Sequence, residues 1–194
     1  MKFDELKELL AADRSIRRFD ASVRASESDL ERLVGLTRYC ASGRNLQPLR
    51  YRIVTDPEEC RALYPCLKWA GYLPEWGGPV PEERPVAYLV QCLDTRLATS
   101  CLCDDGLQLQ AITLGATAMG LGACIIKSFN IPETRAILEI PDRYAPIYVL
   151  ALGVPVEKVV IEDTDGSTDA DIKYYRTPDG VHHVPKRPLS ELLI

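Results

Sequence analysis

The first candidate site residues lie in a short segment near the N-terminus. Arg14, Ser15 and Arg17 place two guanidinium groups and a hydroxyl within a stretch of four residues. A guanidinium is planar and can bind two phosphate oxygens at once. The pattern therefore indicates a phosphate group, although clustered charges are also typical of a solvated surface.

A second segment, residues 39–51, joins a predicted helix to a predicted strand and is unusually polar for a connection. Most connections have about 4–6 residues, with one or two turn formers. This one also offers hydroxyl, amide and guanidinium groups that could hydrogen-bond a ligand. Its polar and turn-forming residues are Ser42, Gly43, Arg44, Asn45, Gln47 and Pro48.

Two further motifs could complete a site. Gly-Leu-Gly at 120–122 follows a long apolar segment, and such glycines either let the backbone approach a flat ligand or cap a helix. Lys186 and Arg187 form a second basic cluster near the C-terminus. Each motif is weak by itself, so its meaning depends on whether the fold brings these segments together.

Composition and charge exclude several classes of protein. The 194 residues predict a single domain over 1–194, and the net charge of −5 argues against nucleic-acid binding, which typically requires a basic excess. The charged, amphipathic first ten residues do not resemble a signal peptide. Residues 106–126 carry no charge, but Gln108, Gln110 and the Gly-Leu-Gly at 120–122 favour a buried helix, turn and strand over a membrane span. We therefore expect a cytoplasmic protein.

The cysteines and histidines predict neither a metal site nor a catalytic residue. Seven cysteines occur without a Cys-x-x-Cys pair, and the only histidines are the adjacent His182 and His183. Structural zinc usually has four Cys or His ligands at recognisable spacing. No Ser-His-Asp or Cys-His arrangement is evident, so no catalytic residue is predicted. Most cysteines lie in apolar segments, and we expect them to be buried, reduced thiols.

Periodicity and capping signals predict helices and strands without strict alternation, so the predicted class is α+β. Helices are predicted over 3–12, over 26–41, from residue 56, from 104 or 105 to about 119, and over 131–140. Strands are predicted over 49–55, 86–93, 123–129 and 145–153. Residues 71–85, with four prolines and three glycines, form either a connector or a lid. Residues 154–194 are expected to form an arm that docks on the body or on a second subunit.

Together and in this order, the four motifs resemble the nitroreductase family of FMN-dependent oxidoreductases. That family has an R-S-x-R segment, a P-S-x-x-N-x-Q-P loop, a Gly-Leu-Gly turn after the central helix, and a terminal basic segment before Pro-Leu. The resemblance covers residues 1–194, and its most specific element is Ser-Gly-Arg-Asn-Leu-Gln-Pro at 42–48. It implies a central, mostly antiparallel sheet flanked by helices, an extended C-terminal arm at 154–194, and a homodimer.

The resemblance also implies an FMN site at the subunit interface. The R-S-x-R segment would hold the phosphate and ribityl chain, joined at the phosphate by the terminal basic residues. The polar loop would reach the FMN largely from the partner subunit, and the glycine turn would lie beside the isoalloxazine. The implied FMN-binding residues are Arg14, Ser15, Arg17, Ala41, Ser42, Asn45, Gln47, Gly120, Leu121, Gly122, Lys186 and Arg187.

The implied activity is a ping-pong reaction in which NADH or NADPH delivers a hydride to FMN N5. A nitroaromatic, a quinone or a similar acceptor then takes the electrons, and no side chain is required as an acid or base. Three alternatives remain open at this point. The first is other flavin chemistry on the same fold, such as reductive dehalogenation or flavin breakdown. The second is a flavin-storage or sensing protein without turnover. The third is that the motifs are structural and no cofactor binds.

The sequence departs from the family pattern at four places. Asp13 stands where a second arginine is frequent, Leu49 where an aromatic residue is frequent, and Ile125 where a tryptophan is common. Residues 71–85 replace a larger lid region. These departures concern the charge at the phosphate and the choice of substrate.

Overall fold

The computed structural model describes residues 2–168 and 171–194, which form two β-sheets and five α-helices in the described ranges. The main sheet is antiparallel throughout, with strand order β1-β2-β4-β3. Its strands are β1 (Leu49–Val54), β2 (Ala87–Asp94), β3 (Gly122–Ile126) and β4 (Tyr144–Gly153). The smaller sheet, of order β5-β7-β6, contains β5 (Val159–Asp163), β6 (Tyr175–Arg176) and β7 (His182–Lys186).

The helices begin where the capping signals predict. They are α1 (Phe3–Ala12), α2 (Glu27–Leu36), α3 (Pro57–Leu63), α4 (Asp104–Ala118) and α5 (Ile131–Ile137). The Ser26 hydroxyl accepts the Asp29 N–H at the start of α2, and the Asp56 carboxylate caps α3 in the same way. The predicted α+β class, with a central antiparallel sheet flanked by helices, is confirmed. None of the helices in the described residues is long and apolar enough to span a membrane.

The main sheet is covered on both faces because the side chains of β2 alternate between two cores. Tyr88 and Val90 pack on one face with Leu63 of α3, while Leu89 packs on the other face with Ile112 of α4. This double burial explains why β2 reads as a continuous apolar run. Helix α4 therefore crosses one face of the sheet. Its first residue contacts the loop at 41–47, and its last turn leads into the turn at 120–122.

The Arg-Ser-Ile-Arg segment runs along the free edge of β3. Ser15 forms a parallel bridge with Ala123, and the Ile16 N–H donates to the Ala123 carbonyl at 2.9 Å. Gly122 makes this close approach possible, because a Cβ atom there would lie 2.7 Å from Ile16 Cγ1. The segment is thus fixed to the sheet, although it is not itself a strand of the sheet.

The C-terminal arm docks on the body of its own chain and contains strands that were not predicted. The carboxylate of Glu157 accepts hydrogen bonds from the backbone N–H groups of Arg17 and Arg18, and from Arg176 Nη2 at 3.1 Å. Its side chain is 0% exposed. The arm therefore brings β7 next to the Arg-Ser-Ile-Arg segment.

Residues 71–85 are irregular apart from one short turn of 3₁₀ helix at Pro81–Glu83, as their proline and glycine content predicts. This segment packs against the arm. The rings of Tyr72 and Tyr174 lie 4.9 Å apart, and the Arg176 guanidinium lies 4.5 Å from the Trp76 ring. The segment is therefore held by the same arm that borders the candidate site.

Gly122→Ala should destabilise the protein by about 1–3 kcal/mol, the usual cost of overpacking a core. The new methyl group would overlap the side chain of Ile16, whose nearest atoms would lie only 2.7–3.0 Å from the added carbon. Urea unfolding measures the effect. Gly35→Ala is the matched control, since nothing lies within 4 Å of its added Cβ. Equal unfolding free energies for the two variants would contradict this packing.

Candidate functional site

The two basic clusters meet at one cavity of about 360 Å³ beside β3. The N-terminal segment of the chain lines it with Arg14, Ser15 and Arg17, and the C-terminal arm lines it with His182 and Lys186. Among the described residues, no carboxylate forms an ion pair with any of the three cations lining it. Three cations and one carboxylate, Asp13, line the cavity, so it presents an excess of positive charge to an anionic ligand.

Hydrogen bonds to neutral groups hold the two arginines in place. Arg14 Nε donates to the Asp13 carbonyl at 2.6 Å, and Arg14 Nη2 donates to the Leu10 carbonyl at 2.8 Å. Arg17 Nη1 donates to the Ser15 carbonyl at 3.2 Å, and its guanidinium lies 4.9 Å from the centre of the Tyr174 ring. Because these partners carry no charge, they orient the guanidinium groups without neutralising them.

His182 is a buried residue of this site that the sequence did not single out. Its Nε2 lies 3.3 Å from Arg17 Nη1. Burial lowers the pKa of His182 to about 4, and the charges of Arg17 and Arg176 add to this effect. The neutral imidazole at neutral pH can therefore accept a hydrogen bond from Arg17.

Only one of the two terminal basic residues lines the cavity. Lys186 lines the cavity, as do His182 and Val184. Arg187 points elsewhere: its Nη1 donates to the Gly166 carbonyl at 2.8 Å and lies 3.3 Å from a carboxylate oxygen of Glu191. Lys186 is the last residue of β7, and Arg187 follows the strand. Of the two predicted phosphate ligands, the fold therefore places only Lys186 with Arg14.

The Gly-Leu-Gly turn positions the wall of the cavity and does not line it. Gly120 has φ of 77° and ends α4 in a Schellman motif, in which the Leu121 N–H donates to the Ala116 carbonyl at 2.8 Å. Gly122 accommodates Ile16. The residues that line the cavity next to this turn are Ala123 and Ile125.

The polar loop at 41–47 lies at the opposite end of α4, outside the cavity of its own chain. Ser42 Oγ donates to one carboxylate oxygen of Asp104 at 2.6 Å, and the Gly43 N–H donates to the other at 2.9 Å. Ser42, one of the polar residues of this loop, therefore holds the loop against the start of α4. Ala41, Asn45 and Gln47 remain exposed.

The backbone of this loop is left-handed at three residues other than glycine. Arg44, Asn45 and Gln47 have φ values of 51°, 55° and 48°. Such conformations cost about 1–3 kcal/mol each and cluster at ligand-binding segments. Within the loop, the Gln47 N–H donates to Ser42 Oγ at 2.9 Å, so internal hydrogen bonds hold this backbone conformation.

A second cavity, of about 270 Å³, continues the first along β3. The two share Arg17, Ile125 and Tyr174, and the second adds Lys68 and Trp69. We call the two cavities together the β3 groove. The groove is lined by Arg14, Arg17 and Lys186 in its first part, and by Lys68 and Trp69 in its second.

This arrangement of sheet, helices and arm matches solved structures. A nitroreductase family protein (cd3355) from Clostridium difficile 630 superimposes with a TM-score of 0.68 and 20% sequence identity, covering 100% of this chain and 98% of that chain. The chain has the nitroreductase fold.

Sequence comparisons agree with the nitroreductase fold. Residues 102–154 match the model of the Nitroreductase family. YdgI of Bacillus subtilis (strain 168), named as a NAD(P)H nitroreductase, is 25% identical over 189 residues, covering 79% of this chain and 90% of that protein. The FMN reductase (NADPH) of the same organism is 25% identical over 162 residues, covering 76% of this chain and 65% of that protein. The resemblance drawn from the motifs is confirmed.

Two departures from the nitroreductase pattern can be located in the structure. The Asp13 carboxylate accepts hydrogen bonds from Gln110 Nε2 at 2.6 Å and from Thr113 Oγ1 at 2.7 Å, so it ties the end of α1 to α4. Ile125 is 42% exposed and lines both cavities of the groove. Asp13 therefore stands in place of a positive charge and forms hydrogen bonds within the chain. Ile125 places a side chain smaller than tryptophan beside the groove.

The depressed pKa of His182 predicts that stability falls on acidification. The unfolded chain takes up a proton as the pH falls through 6.5, whereas the folded chain does so only near 4. The contribution is therefore fully present above pH 6.5 and is lost as the pH falls towards 4. Between pH 7 and pH 5, the unfolding free energy of the wild type should drop by about 2 kcal/mol more than that of His182→Gln. Identical pH dependence in urea unfolding would contradict a buried neutral imidazole.

Proposed function

We propose that this chain is an FMN-dependent NAD(P)H oxidoreductase that reduces nitroaromatic, quinone or similar acceptors. The observation that carries the proposal is the meeting of Arg14 and Arg17 with Lys186, from opposite ends of the sequence, at one cavity. An otherwise acidic chain of net charge −5 thereby brings three cations without ion-pair partners among the described residues to this concave site.

The charges that line the β3 groove support FMN as its ligand. Arg14, Ser15 and Lys186 would hold the phosphate, whose charge is about −1.5 to −2 at neutral pH. Arg17, shared by the two cavities, would contact the middle of the molecule. The wall at Ile125 and the side chain of Trp69 would bound the flat ring.

The chain's own residues bind and orient in this proposal, while the redox chemistry belongs to the cofactor. Bound FMN would supply hydride acceptance from NADH or NADPH and electron delivery to the acceptor. His182 stays neutral, faces Arg17, and keeps that guanidinium in position. We assign no catalytic acid or base to the groove. The names of the two Bacillus subtilis relatives, a NAD(P)H nitroreductase and an FMN reductase (NADPH), support this choice of cofactor and reductant.

The proposal extends to a homodimer in which the 41–47 loop reaches the partner's flavin. The loop is exposed and left-handed at Asn45 and Gln47. Beside it lie exposed apolar side chains, with Tyr39 at 87% and Leu102 at 68%. Exposed apolar surface next to a strained polar loop is the expected composition of a subunit interface.

We call Arg14, Ser15 and Lys186 the phosphate cradle. Removing one of its positive charges should weaken FMN binding. Arg14→Ala and Lys186→Ala should each cost about 1.5–3 kcal/mol, the range for a hydrogen bond to a charged group. Arg187→Ala is the matched control, because its guanidinium is engaged with Gly166 and Glu191 outside the cavity. Flavin fluorescence quenching measures all three affinities. If Arg187→Ala lowered FMN affinity more than Lys186→Ala does, the assignment of the two residues would be reversed.

Reduction of the bound flavin tests the activity itself. Protein loaded with FMN and freed of excess should lose its visible flavin absorbance on anaerobic addition of NADH or NADPH, and a nitroaromatic or a quinone should restore it. A flavin that stays oxidised with both nucleotides would indicate a storage or sensing protein. A reduced flavin that no acceptor of these classes reoxidises would direct attention to dehalogenation or flavin breakdown.

A further inference from the structure

A separate arginine-lined cavity of about 240 Å³ lies between α3 and the start of β2. We call it the Arg84 cavity. Its cations are Arg24, Arg61 and Arg84, and its walls include Tyr64 and Pro85. It shares no lining residue with either part of the β3 groove, so it does not belong to the flavin site proposed above.

The positive charge of the Arg84 cavity is largely unneutralised. Among the described residues, neither Arg24 nor Arg84 forms an ion pair, and no carboxylate lines the cavity. The neighbouring Glu83 is engaged with Arg18, whose Nε and Nη2 donate to it at 2.7 and 2.6 Å. Only Arg61 has an acidic partner, the exposed Glu58.

Arg84 is held in a fixed position by an aromatic ring. Its guanidinium lies 3.9 Å from the centre of the Tyr64 ring, and its buried Nε has no hydrogen-bond partner among the described residues. The ring is itself fixed, because the Tyr64 hydroxyl donates to the Pro79 carbonyl at 2.9 Å. A guanidinium fixed before binding loses little conformational entropy when an anion arrives.

The size and charge of the Arg84 cavity limit what can occupy it. Pockets for drug-sized ligands span about 300–1,000 Å³, so 240 Å³ admits a small molecule rather than a dinucleotide. Two unneutralised guanidinium groups match a phosphate monoester, which carries about −1.5 to −2 charge and accepts planar forks of N–H donors. The tyrosine and proline walls offer flat apolar contacts to the body of such an ester.

We propose that the Arg84 cavity is a binding site for inorganic phosphate or a small phosphate ester, with Arg84 and Arg24 at the phosphate oxygens. The phosphate group is the chemistry shared by both sources. The apolar walls distinguish the two, because only an ester places a body against Tyr64 and Pro85. This site is independent of whether the β3 groove holds a flavin.

Calorimetric titration of the full chain with inorganic phosphate and with phenyl phosphate tests the proposal. Arg84→Gln and Arg24→Gln should each weaken binding of both ligands at least tenfold. Arg96→Gln, which removes an exposed arginine outside the cavity, is the matched control and should change affinity less than twofold. Phenol, which lacks the anion, should bind far more weakly than phenyl phosphate.

The Arg14→Ala variant separates this site from the β3 groove, which could also bind phosphate. Phosphate binding that survives Arg14→Ala and is lost in Arg84→Gln supports the proposal. Binding that is lost in Arg14→Ala but survives in Arg84→Gln and Arg24→Gln would assign it to the groove and overturn the proposal, as would no binding by the wild type. Because Arg24 is exposed, Arg24→Gln keeps the test decisive if Arg84→Gln does not fold.

Discussion

The buried carboxylate of Glu157 determines where the two ends of the chain meet. It accepts the backbone N–H groups of Arg17 and Arg18 from the N-terminal segment, and a side-chain hydrogen bond from Arg176 of the arm. The side chain of Glu157 is 0% exposed. Loss of these partners would leave an unpaired buried charge and lower the free energy of unfolding by several kcal/mol, so the three partners must stay together in the folded chain. As a consequence, β7 lies opposite Arg14.

The electrostatics of the groove follow from how the nearby carboxylates are used. Asp13 accepts hydrogen bonds from α4, Glu157 holds backbone N–H groups, and Glu83 pairs with Arg18. None of them forms an ion pair with Arg14 or Lys186 among the described residues. An acidic protein can therefore present a local excess of positive charge without changing its overall composition.

Patterns that are local in sequence predicted most of the fold. Helix α4 and strands β2 and β4 have long apolar patterns, and their predicted bounds lie within one or two residues of the observed ones. The strands of the arm escaped prediction because β5 pairs in parallel with the distant β7, and β6 has two residues. Their stability comes from non-local pairing and docking, which periodicity does not report.

The site was predictable in its basic residues but not in its geometry. Arg14, Ser15, Arg17 and Lys186 line the cavity, and Arg187, which follows β7, does not. The alternation of side chains along β7 places His182 and Lys186 on the same side, and it could be read only once His182–Lys186 was known to be a strand. Gly122 serves the packing of Ile16, a contact between distant segments that no spacing rule reveals.

The central claim is that opposite ends of the chain form one phosphate cradle, and a comparison of FMN with riboflavin tests it most directly. Riboflavin has the same ring and ribityl chain without the phosphate. The wild type should bind FMN at least about tenfold more tightly than riboflavin, since charged hydrogen bonds contribute about 1.5–3 kcal/mol each. Lys186→Ala should remove much of that difference while leaving riboflavin affinity unchanged. Equal affinities of the wild type for both flavins would contradict the cradle.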